Sequence, residues 1–210
     1  MLSIVVLVSG GGTNLQAILD ACDSGIIKSG RVVGVISSNP EAYALTRAAG
    51  RGIPGAVIAR SDYNSSQDFD DALTARIDEF GADLIVLAGF MSILGQKLVT
   101  KYANKIINVH PALIPSFCGK GYYGLRVHRA ALDYGVKVTG ATVHFVNEIP
   151  DGGAIILQKA VEILPGDTPE ILQKRVMEQA EWKLLPQAVE LFCSGKLTVT
   201  DNKVIINGGN

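Results

Sequence analysis

The chain has 210 residues, a formal net charge of −1 and 48% hydrophobic residues. This size is enough for a sizeable core and predicts a single domain that covers residues 1–210. Because the net charge is close to zero and no lysine or arginine cluster stands out, the sequence argues against nucleic acid and anionic membrane surfaces as main partners.

The cysteines and the first residues point to a soluble protein of a reducing compartment. Cys22, Cys118 and Cys193 are widely spaced, and no CxxC or Cys/His ligand spacing accompanies them. A disulfide framework and a zinc site are therefore not expected. The chain starts directly with an apolar strand, without a basic segment or a stretch long enough to span a bilayer, which predicts a cytoplasmic location.

The first predicted strand, Ser3–Ser9, leads into the glycine turn Gly10–Asn14 and then into a helix. This order is typical of phosphate binding, because the free N–H groups and the positive end of the helix dipole face the anion. Thr13 or Asn14 is expected to cap the helix. The turn lacks the features of a dinucleotide fingerprint or a P-loop, so it predicts the phosphate of a mononucleotide-like ligand, with a plain tight turn as the alternative.

Apolar strands and helices then alternate. The predicted elements are a strand at 31–38, a helix at 41–49, a short strand at 56–58, a helix at 67–80 and a strand at 84–88. This alternation predicts an α/β fold with a mostly parallel sheet, in which ligands collect at the carboxyl ends of the strands. The segment Phe90–Leu94 at one such end is either core packing or an apolar wall for a flat aromatic ligand.

The stretch Ile106–Phe117 begins as a short apolar strand and breaks at Pro111 and Pro115. Asn108 and His110 are two residues apart, so on an extended strand their side chains point to the same face. An amide donor and a titratable imidazole thus lie side by side where the strand opens into a loop. This is a usual place for chemistry in an open α/β sheet, although a His-Pro pair also fits an ordinary turn.

The glycine-rich segment Ser116–Gly124 is predicted to be a loop that can act as a lid. A short helix at 125–134 carries His128, which we assign to the surface or to local packing. A strand at 136–146 carries His144, to which we assign a structural role.

A turn and a strand at 154–161 follow. Asp151 precedes two glycines in this turn, where an aspartate often serves only turn chemistry. Asp151 is also the one carboxylate of the loop that we expect to fold back onto His110.

The last helix has a clear start at Thr168–Glu170, with threonine as N-cap, proline at the first position and an acid in the first turn. It is predicted to run to about Cys193 with a kink at Pro186. A small hairpin is predicted at 197–207.

Taken together, these segments resemble the folate-dependent phosphoribosylglycinamide formyltransferases of purine synthesis, from Ile4 to about Phe192. The motifs that carry the resemblance are Ser9–Asn14, Asn108–Pro111, Leu113–Phe117, Val143–Val146 and Asp151–Gly153. Asn-x-His-Pro followed at a fixed interval by His-Phe-Val and Asp-Gly-Gly is highly specific to formyl-folate hydrolase and transferase domains. The resemblance implies a three-layer, Rossmann-like formyltransferase fold with a mostly parallel sheet and an antiparallel C-terminal part. Its N-terminal half would bind the phosphorylated substrate, and its C-terminal half would bind folate and carry the catalytic residues.

The resemblance also implies the site residues. The positions that match the catalytic set are Asn108, His110 and Asp151. The positions that match the site for the substrate's phosphate are Gly12, Thr13 and Asn14, and those for its glycinamide and ribose part are Glu181 and Pro111. The positions that match the folate pocket are Met91, Ser92, Ile93, Leu94, Asn108, Asn147 and Asp151.

The implied reaction transfers the formyl group of 10-formyltetrahydrofolate, a cosubstrate, to the amine of phosphoribosylglycinamide. Asn108 would donate to the developing oxyanion, and protonated His110 would stabilise the same charge and relay a proton. Asp151 would orient the imidazole and raise its pKa. No metal is implied, the partners are small-molecule substrates, and the chain is expected to be a monomer or a homodimer.

Two positions depart from the family pattern. Many relatives carry a basic residue at the position of Ser92 and an arginine at that of Gln67, and both positions are associated with ligand contacts. The polar contacts to folate are therefore expected to differ, and a lysine or tyrosine of the loop Gly119–Gly124 is a candidate replacement.

Three other functions stay open at this point. A formyltetrahydrofolate hydrolase would use the same residues with water as nucleophile, but such enzymes usually carry a further N-terminal domain and His-His at the position of His110-Pro111. A methionyl-tRNA formyltransferase would need an additional basic C-terminal domain. A non-catalytic nucleotide- or folate-binding regulator would have no need for the intact catalytic set.

Overall fold

The computed structural model describes residues 1–208. The strands in this range are β1 (Leu2–Val8), β2 (Gly30–Ser37), β3 (Gly55–Val57), β4 (Leu84–Leu87), β5 (Ile106–His110), β6 (Val138–Phe145), β7 (Ile155–Glu162), β8 (Leu197–Thr200) and β9 (Lys203–Ile206). The α-helices are α1 (Thr13–Asp23), α2 (Tyr43–Ala49), α3 (Ser66–Glu79), α4 (Gln96–Lys101), α5 (Leu125–Tyr134), α6 (Pro169–Val176) and α7 (Trp182–Cys193). A π-helical turn, Met177–Glu181, joins α6 to α7, and a 3₁₀ turn covers Arg60–Asp62.

Seven of these strands form one sheet in the order β3-β2-β1-β4-β5-β6-β7. Neighbouring strands from β3 to β5 run parallel, whereas β6 runs antiparallel to β5 and β7 antiparallel to β6. Strands β8 and β9 form the predicted hairpin. The predicted fold class, a mostly parallel α/β sheet with an antiparallel C-terminal part, is confirmed.

Helices cover both faces of the sheet, because successive side chains of a strand point to opposite faces. In β1, the side chains of Ile4, Val6 and Val8 belong to the core cluster under α1, α2, α6 and α7. Those of Val5 and Leu7 belong to the cluster under α3 and α4. Burial on both faces explains why β1 is a continuous apolar run, and it gives the three predicted layers.

The site follows from the strand order. Strand β1 lies between β2 and β4, so the direction of chain progress across the sheet reverses at this point. Open α/β sheets bind ligands in the crevice outside the carboxyl ends of the strands at such a reversal. The turn Gly10–Asn14 follows β1, Phe90 follows β4, and His110 ends β5, so all three lie at this crevice.

The predicted element bounds agree with the structure to within a few residues, with two differences. Helix α4 and the 3₁₀ turn were not predicted. The predicted kink at Pro186 is also misplaced, because the irregular turn is the π-helical segment Met177–Glu181. Pro186 lies inside α7, where its missing N–H leaves the carbonyl of Trp182, the first residue of α7, without its usual partner. Within residues 1–208, no helix has the length and apolar composition needed to cross a membrane.

The start of α1 depends on glycine at position 12. Gly12 is the N-cap and has a φ of 72°, in the left-handed region that favours glycine. A Cβ atom on Gly12 would lie 2.6 Å from the Cβ of Ala44 in α2, so no other residue fits without displacing that helix. The predicted cap by Thr13 or Asn14 is wrong, because neither side chain makes a capping hydrogen bond.

Candidate active site

His110 is held at the end of β5 by the loop that follows it. Its ring is buried, and its Nε2 lies 2.8 Å from the carbonyl oxygen of Phe117. Because a carbonyl oxygen only accepts, Nε2 carries the proton of the neutral ring and donates to it. Phe117 has a φ of 49°, an unusual conformation for a bulky residue and one that clusters at functional sites. Nδ1 is therefore the nitrogen that is open to chemistry.

Asp151 brings a carboxylate to His110 from the turn between β6 and β7. Its Oδ2 lies 3.5 Å from Nδ1 of His110 and accepts a 2.7 Å hydrogen bond from the N–H of Gly119. Its Oδ1 lies 3.5 Å from Nε2 of His144. Burial alone would raise the pKa of Asp151, but the contacts with His144, His110 and the Gly119 N–H together lower it. Asp151 is thus ionised at neutral pH and places a negative charge beside the ring of His110.

Asn108 lies opposite His144 in the antiparallel pairing of β5 and β6. The Nδ1 of His144 lies 2.7 Å from the carbonyl oxygen of Phe145, so this nitrogen carries the ring proton. Nε2 of His144 lies closer to the Nδ2 of Asn108, at 3.2 Å, than to Oδ1 of Asp151, and in the neutral ring it accepts from that amide. This bond fixes the orientation of the Asn108 amide and leaves one of its N–H groups for a ligand.

His144 was assigned a structural role from the sequence, and the structure places it among the candidate site residues instead. Besides its contact with Asn108, it approaches Asp151. A signal for this was present, since an antiparallel β6 with the alternation of Val143, His144 and Phe145 can bring His144 onto the face of Asn108.

The pKa of His110 differs from the expectation. Asp151 does raise it, as predicted, but burial lowers it more strongly, and the nearby His144 lowers it further. The net direction is downward, so the ring is neutral near neutral pH. The prediction of a raised pKa at His110 is wrong, because burial outweighs the contact with Asp151.

His128 is fully buried in α5, so of the two sequence assignments local packing is the correct one. In the part of the chain that the structure describes, neither of its ring nitrogens has a hydrogen-bond partner. Burial, with a contribution from His110, lowers the pKa of His128 to about 4. His128 is therefore a neutral ring that packs behind the candidate site.

Two cavities open at the carboxyl ends of the strands and meet at the candidate catalytic residues. The first has a volume of about 460 Å³ and lies between the segment after β4 and the turn after β6. The second has a volume of about 330 Å³ and lies over the turn Gly10–Asn14. The residues that line both cavities are Phe90, Asn108 and Asp151. Two ligands could thus touch each other beside His110.

Most residues predicted for the folate pocket line the first cavity. Those that do are Ser92, Ile93, Leu94, Asn108, Asn147 and Asp151. Met91 lines the second cavity instead, where its N–H donates to Oγ of Ser9. Gln67 lines neither cavity, so a ligand bound in them would not contact it. Its side chain is hydrogen-bonded to Asp71 on α3.

The residues predicted for the phosphorylated substrate line the second cavity, namely Gly12, Thr13, Asn14, Pro111 and Glu181. The sequence did not single out Gln173 and Met177, which line it as well. Tyr122 and Tyr123, the tyrosines of the loop Gly119–Gly124 considered as replacement folate contacts, also line this second cavity and not the first. Among residues 1–208, no group of three or more His, Cys, Asp or Glu side chains is arranged to hold a metal ion.

Glu181 ends the π-helical turn and is 6% exposed. Its Oε2 accepts a 2.7 Å hydrogen bond from Nδ2 of Asn14. Burial raises the pKa of Glu181 to about 7, and the bond from Asn14 opposes this rise only in part. A carboxyl group that titrates near neutral pH therefore lies on the wall of the second cavity.

The Glu181→Gln substitution is expected to stabilise the protein at about pH 8 and to have little effect at about pH 5. The pKa of the Glu181 carboxyl is about 7 in the folded protein and 4.5 in the unfolded chain. The neutral carboxyl therefore contributes fully to stability below pH 4.5, and this contribution is lost as the pH rises to 7. The ceiling of this loss is about 3 kcal/mol. The new amide can also donate to Oδ1 of Asn14, a buried atom without a partner within residues 1–208.

Thermal unfolding of both proteins at the two pH values measures this effect. Glu178→Gln is the matched control, because Glu178 lies on the same turn but is exposed. A stability difference that is the same at both pH values would show that Glu181 is ionised throughout.

Comparison with known proteins now gives the family. A family model described as formyl transferase matches residues 2–189. The chain belongs to the formyl transferase family. Within it, a phosphoribosylglycinamide formyltransferase from Haemophilus influenzae is 43% identical over 208 residues, which cover 99% of this chain and 95% of that relative.

Solved structures of the formyl transferase family agree with the fold. The crystal structure of glycinamide ribonucleotide transformylase 1 from Symbiobacterium toebii is 44% identical, has a TM-score of 0.93 and covers 99% of this chain and 94% of that chain. A formyltetrahydrofolate deformylase from Pseudomonas syringae is more distant, at 26% identity and a TM-score of 0.87, covering 98% of this chain and 66% of that chain.

Proposed function

We propose that this chain transfers the formyl group of 10-formyltetrahydrofolate to the amine of phosphoribosylglycinamide, a step of purine synthesis. One observation carries the proposal: two cavities meet at Asn108 and Asp151 beside His110. A transfer between two bound molecules needs such a junction, because the amine and the formyl carbon must come within bonding reach while each molecule keeps its own binding site.

The first cavity suits the folate. Its wall combines apolar side chains, including Phe90, Leu94 and Val146, with the amide of Asn147. A flat heterocycle would pack against the apolar wall while its polar edges meet the amide and the backbone of the turn before Asp151. Ser92 lies on this wall without a charge, so the folate would be held here with fewer ionic contacts.

The second cavity suits the phosphorylated amine. The turn Gly10–Asn14 at the N-terminus of α1 would bind the phosphate through backbone N–H groups and the helix dipole. Glu181, which is bonded to Asn14, and Pro111, which follows His110, line the same cavity and would contact the ribose and glycinamide part. This orientation places the amine at the junction of the cavities.

The chemistry follows from the free atoms of the site. The amine nitrogen bonds to the formyl carbon, and the carbonyl oxygen becomes an oxyanion that the free N–H of Asn108 can stabilise. Nδ1 of neutral His110 accepts the proton that the amine loses, and Asp151 stabilises the imidazolium. The bond between the formyl carbon and N10 of the folate then breaks, and His110 returns the proton to N10. The lowered pKa of His110 fits this order, in which the ring acts first as a base.

A second candidate is hydrolysis of the formyl-folate, which the deformylase from Pseudomonas syringae represents among the similar structures. It would need only the first cavity and a water molecule. The candidate phosphate turn and the buried Glu181 of the second cavity have no use in that reaction, which favours formyl transfer.

Release of tetrahydrofolate from 10-formyltetrahydrofolate, followed with and without phosphoribosylglycinamide, tests the proposal. We expect release only when the amine is present, together with formylated phosphoribosylglycinamide. An acceptor whose amine is acetylated is the control. Release of formate without the amine would establish the hydrolase instead. A cytoplasmic location, a monomeric or homodimeric state and a reaction without metal stay predictions.

A further inference from the structure

The glycine turn is braced from behind by α2. The N–H of Ala44 donates to the carbonyl oxygen of Gly10 at 3.1 Å. Nε of Arg47 donates to the carbonyl oxygen of Gly11 at 2.8 Å, and its Nη1 donates to Oε1 of Gln16 at 2.8 Å. Helix α2 thus contacts two successive carbonyl groups of the turn.

These bonds set the direction of the N–H groups. In a planar trans peptide the C=O and the N–H of the next residue point in opposite directions. With the carbonyls of Gly10 and Gly11 turned to α2, the N–H groups of Gly11 and Gly12 point the other way, where both residues line the second cavity. Neither N–H has an acceptor within the described residues, so both are free for an anion.

Arg47 also brings an unneutralised positive charge to the turn. Its acceptors are a carbonyl and an amide oxygen, both uncharged, and its guanidinium lies 5.0 Å from the ring centroid of Tyr43. Among residues 1–208 it takes part in no ion pair.

The second cavity itself has no lysine or arginine in its described lining, while it does contain Asp151 and Glu181. A phosphate dianion there would meet two carboxyl groups and no cation in direct contact. The guanidinium is bonded to the carbonyl of Gly11 at 2.8 Å, so it lies on the turn itself and is placed to offset this charge over a short distance.

We propose that Arg47 is a positioning residue for the substrate's phosphate, holding the N–H groups of the glycine turn toward the second cavity and supplying positive charge from behind it. This inference rests on the proposed function in one respect, that the ligand of the second cavity carries a phosphate monoester. Arg47 lines neither of the two cavities that meet beside His110, so its effect should appear in binding and not in turnover.

The kinetic test compares Arg47→Gln with the unchanged protein. We expect the KM for phosphoribosylglycinamide to rise about 10-fold or more, since the charge-assisted hydrogen bond that orients the Gly11 peptide and the positive charge behind the turn are both lost. We expect kcat and the KM for 10-formyltetrahydrofolate to stay near their original values. Arg47→Lys keeps the charge and should recover part of the loss. A proportional fall of kcat with an unchanged KM would overturn the inference.

The control variant is Arg51→Gln. Arg51 lies four residues further along the chain and pairs with Asp20 and Asp23, and it donates to no carbonyl group of the turn. The Arg51→Gln substitution should leave the KM for the phosphorylated amine unchanged. A KM increase equal to that of Arg47→Gln would show a general charge effect and would contradict the specific role.

A substrate that lacks the phosphate gives the sharper test. Glycinamide riboside lacks the phosphate, so Arg47→Gln should leave its kcat/KM unchanged while lowering that of the phosphorylated amine. An equal fall for both substrates would mean that Arg47 only maintains the fold. Thermal unfolding of each variant separates this case from loss of structure.

A direct binding measurement tests the role of Arg47 independently of formyl transfer. Calorimetry with ribose 5-phosphate should show weaker binding to Arg47→Gln than to the unchanged protein or to Arg51→Gln. If the unchanged protein transfers no formyl group but this difference appears, the proposed function fails and the inference stands. If transfer occurs and the binding of ribose 5-phosphate is equal in all variants, the inference fails.

Discussion

The Asp151→Asn substitution is expected to lower kcat by about 10³-fold, the middle of the range for lost general acid–base function. The reason lies in the proton on the ring. Because Nε2 of His110 donates to Phe117, Nδ1 is the nitrogen that must accept a proton during the reaction. An asparagine amide would donate to Nδ1 and hold the ring neutral, and it would remove the charge that stabilises the imidazolium.

Steady-state kinetics across pH measure this effect. The Asp133→Asn variant is the control, since Asp133 is an exposed aspartate of α5. Thermal unfolding checks that the loop containing Gly119, whose N–H donates to Asp151, remains in place. A kcat close to that of the unchanged protein, with the fold intact, would remove Asp151 from the mechanism.

The Asn108→Ala substitution is expected to lower kcat by about 10²- to 10³-fold, as for other single oxyanion donors. The amide of Asn108 is oriented in advance, because one of its N–H groups is bonded to His144 and the other is left for the ligand. Its contribution grows as negative charge develops on the formyl oxygen. The KM values of the two substrates should therefore change much less than kcat.

Kinetics with both substrates, and with Asn64→Ala as the control at an exposed loop position, test this prediction. Asn108→Asp keeps the shape of the side chain but removes the donor, so its kcat should be at least as low. A variant that raises only the KM for the folate would show that Asn108 is a binding residue and not an oxyanion donor.

Much of the fold could be predicted from local pattern. The apolar runs at β1, β4 and β5 identified buried strands, and Thr168 with Pro169 identified the start of α6, where the Thr168 side chain accepts from the N–H of Ile171. These signals depend on residues that are close in sequence, and the physical preferences behind them hold in most folds.

The rest depends on residues far apart in the chain. The irregular turn before α7 was assigned to Pro186, yet the structure has it at Met177–Glu181, where the helix meets α1 through Asn14 and Glu181. The turn at Asn14 shows the same effect, since tertiary contact with Glu181 takes the side chain that local preference would have used as a helix cap. The downward direction of the pKa of His110 likewise follows from burial, which a short motif does not report.

The bond between Asn14 and Glu181 joins residues 167 positions apart. During translation, the glycine turn is therefore made 167 residues before its partner. A nascent chain therefore has no complete wall for the second cavity until Glu181 has been made. Affinity for the phosphorylated amine can then arise only after Glu181 has packed against the turn, and this ligand would select and stabilise the folded state.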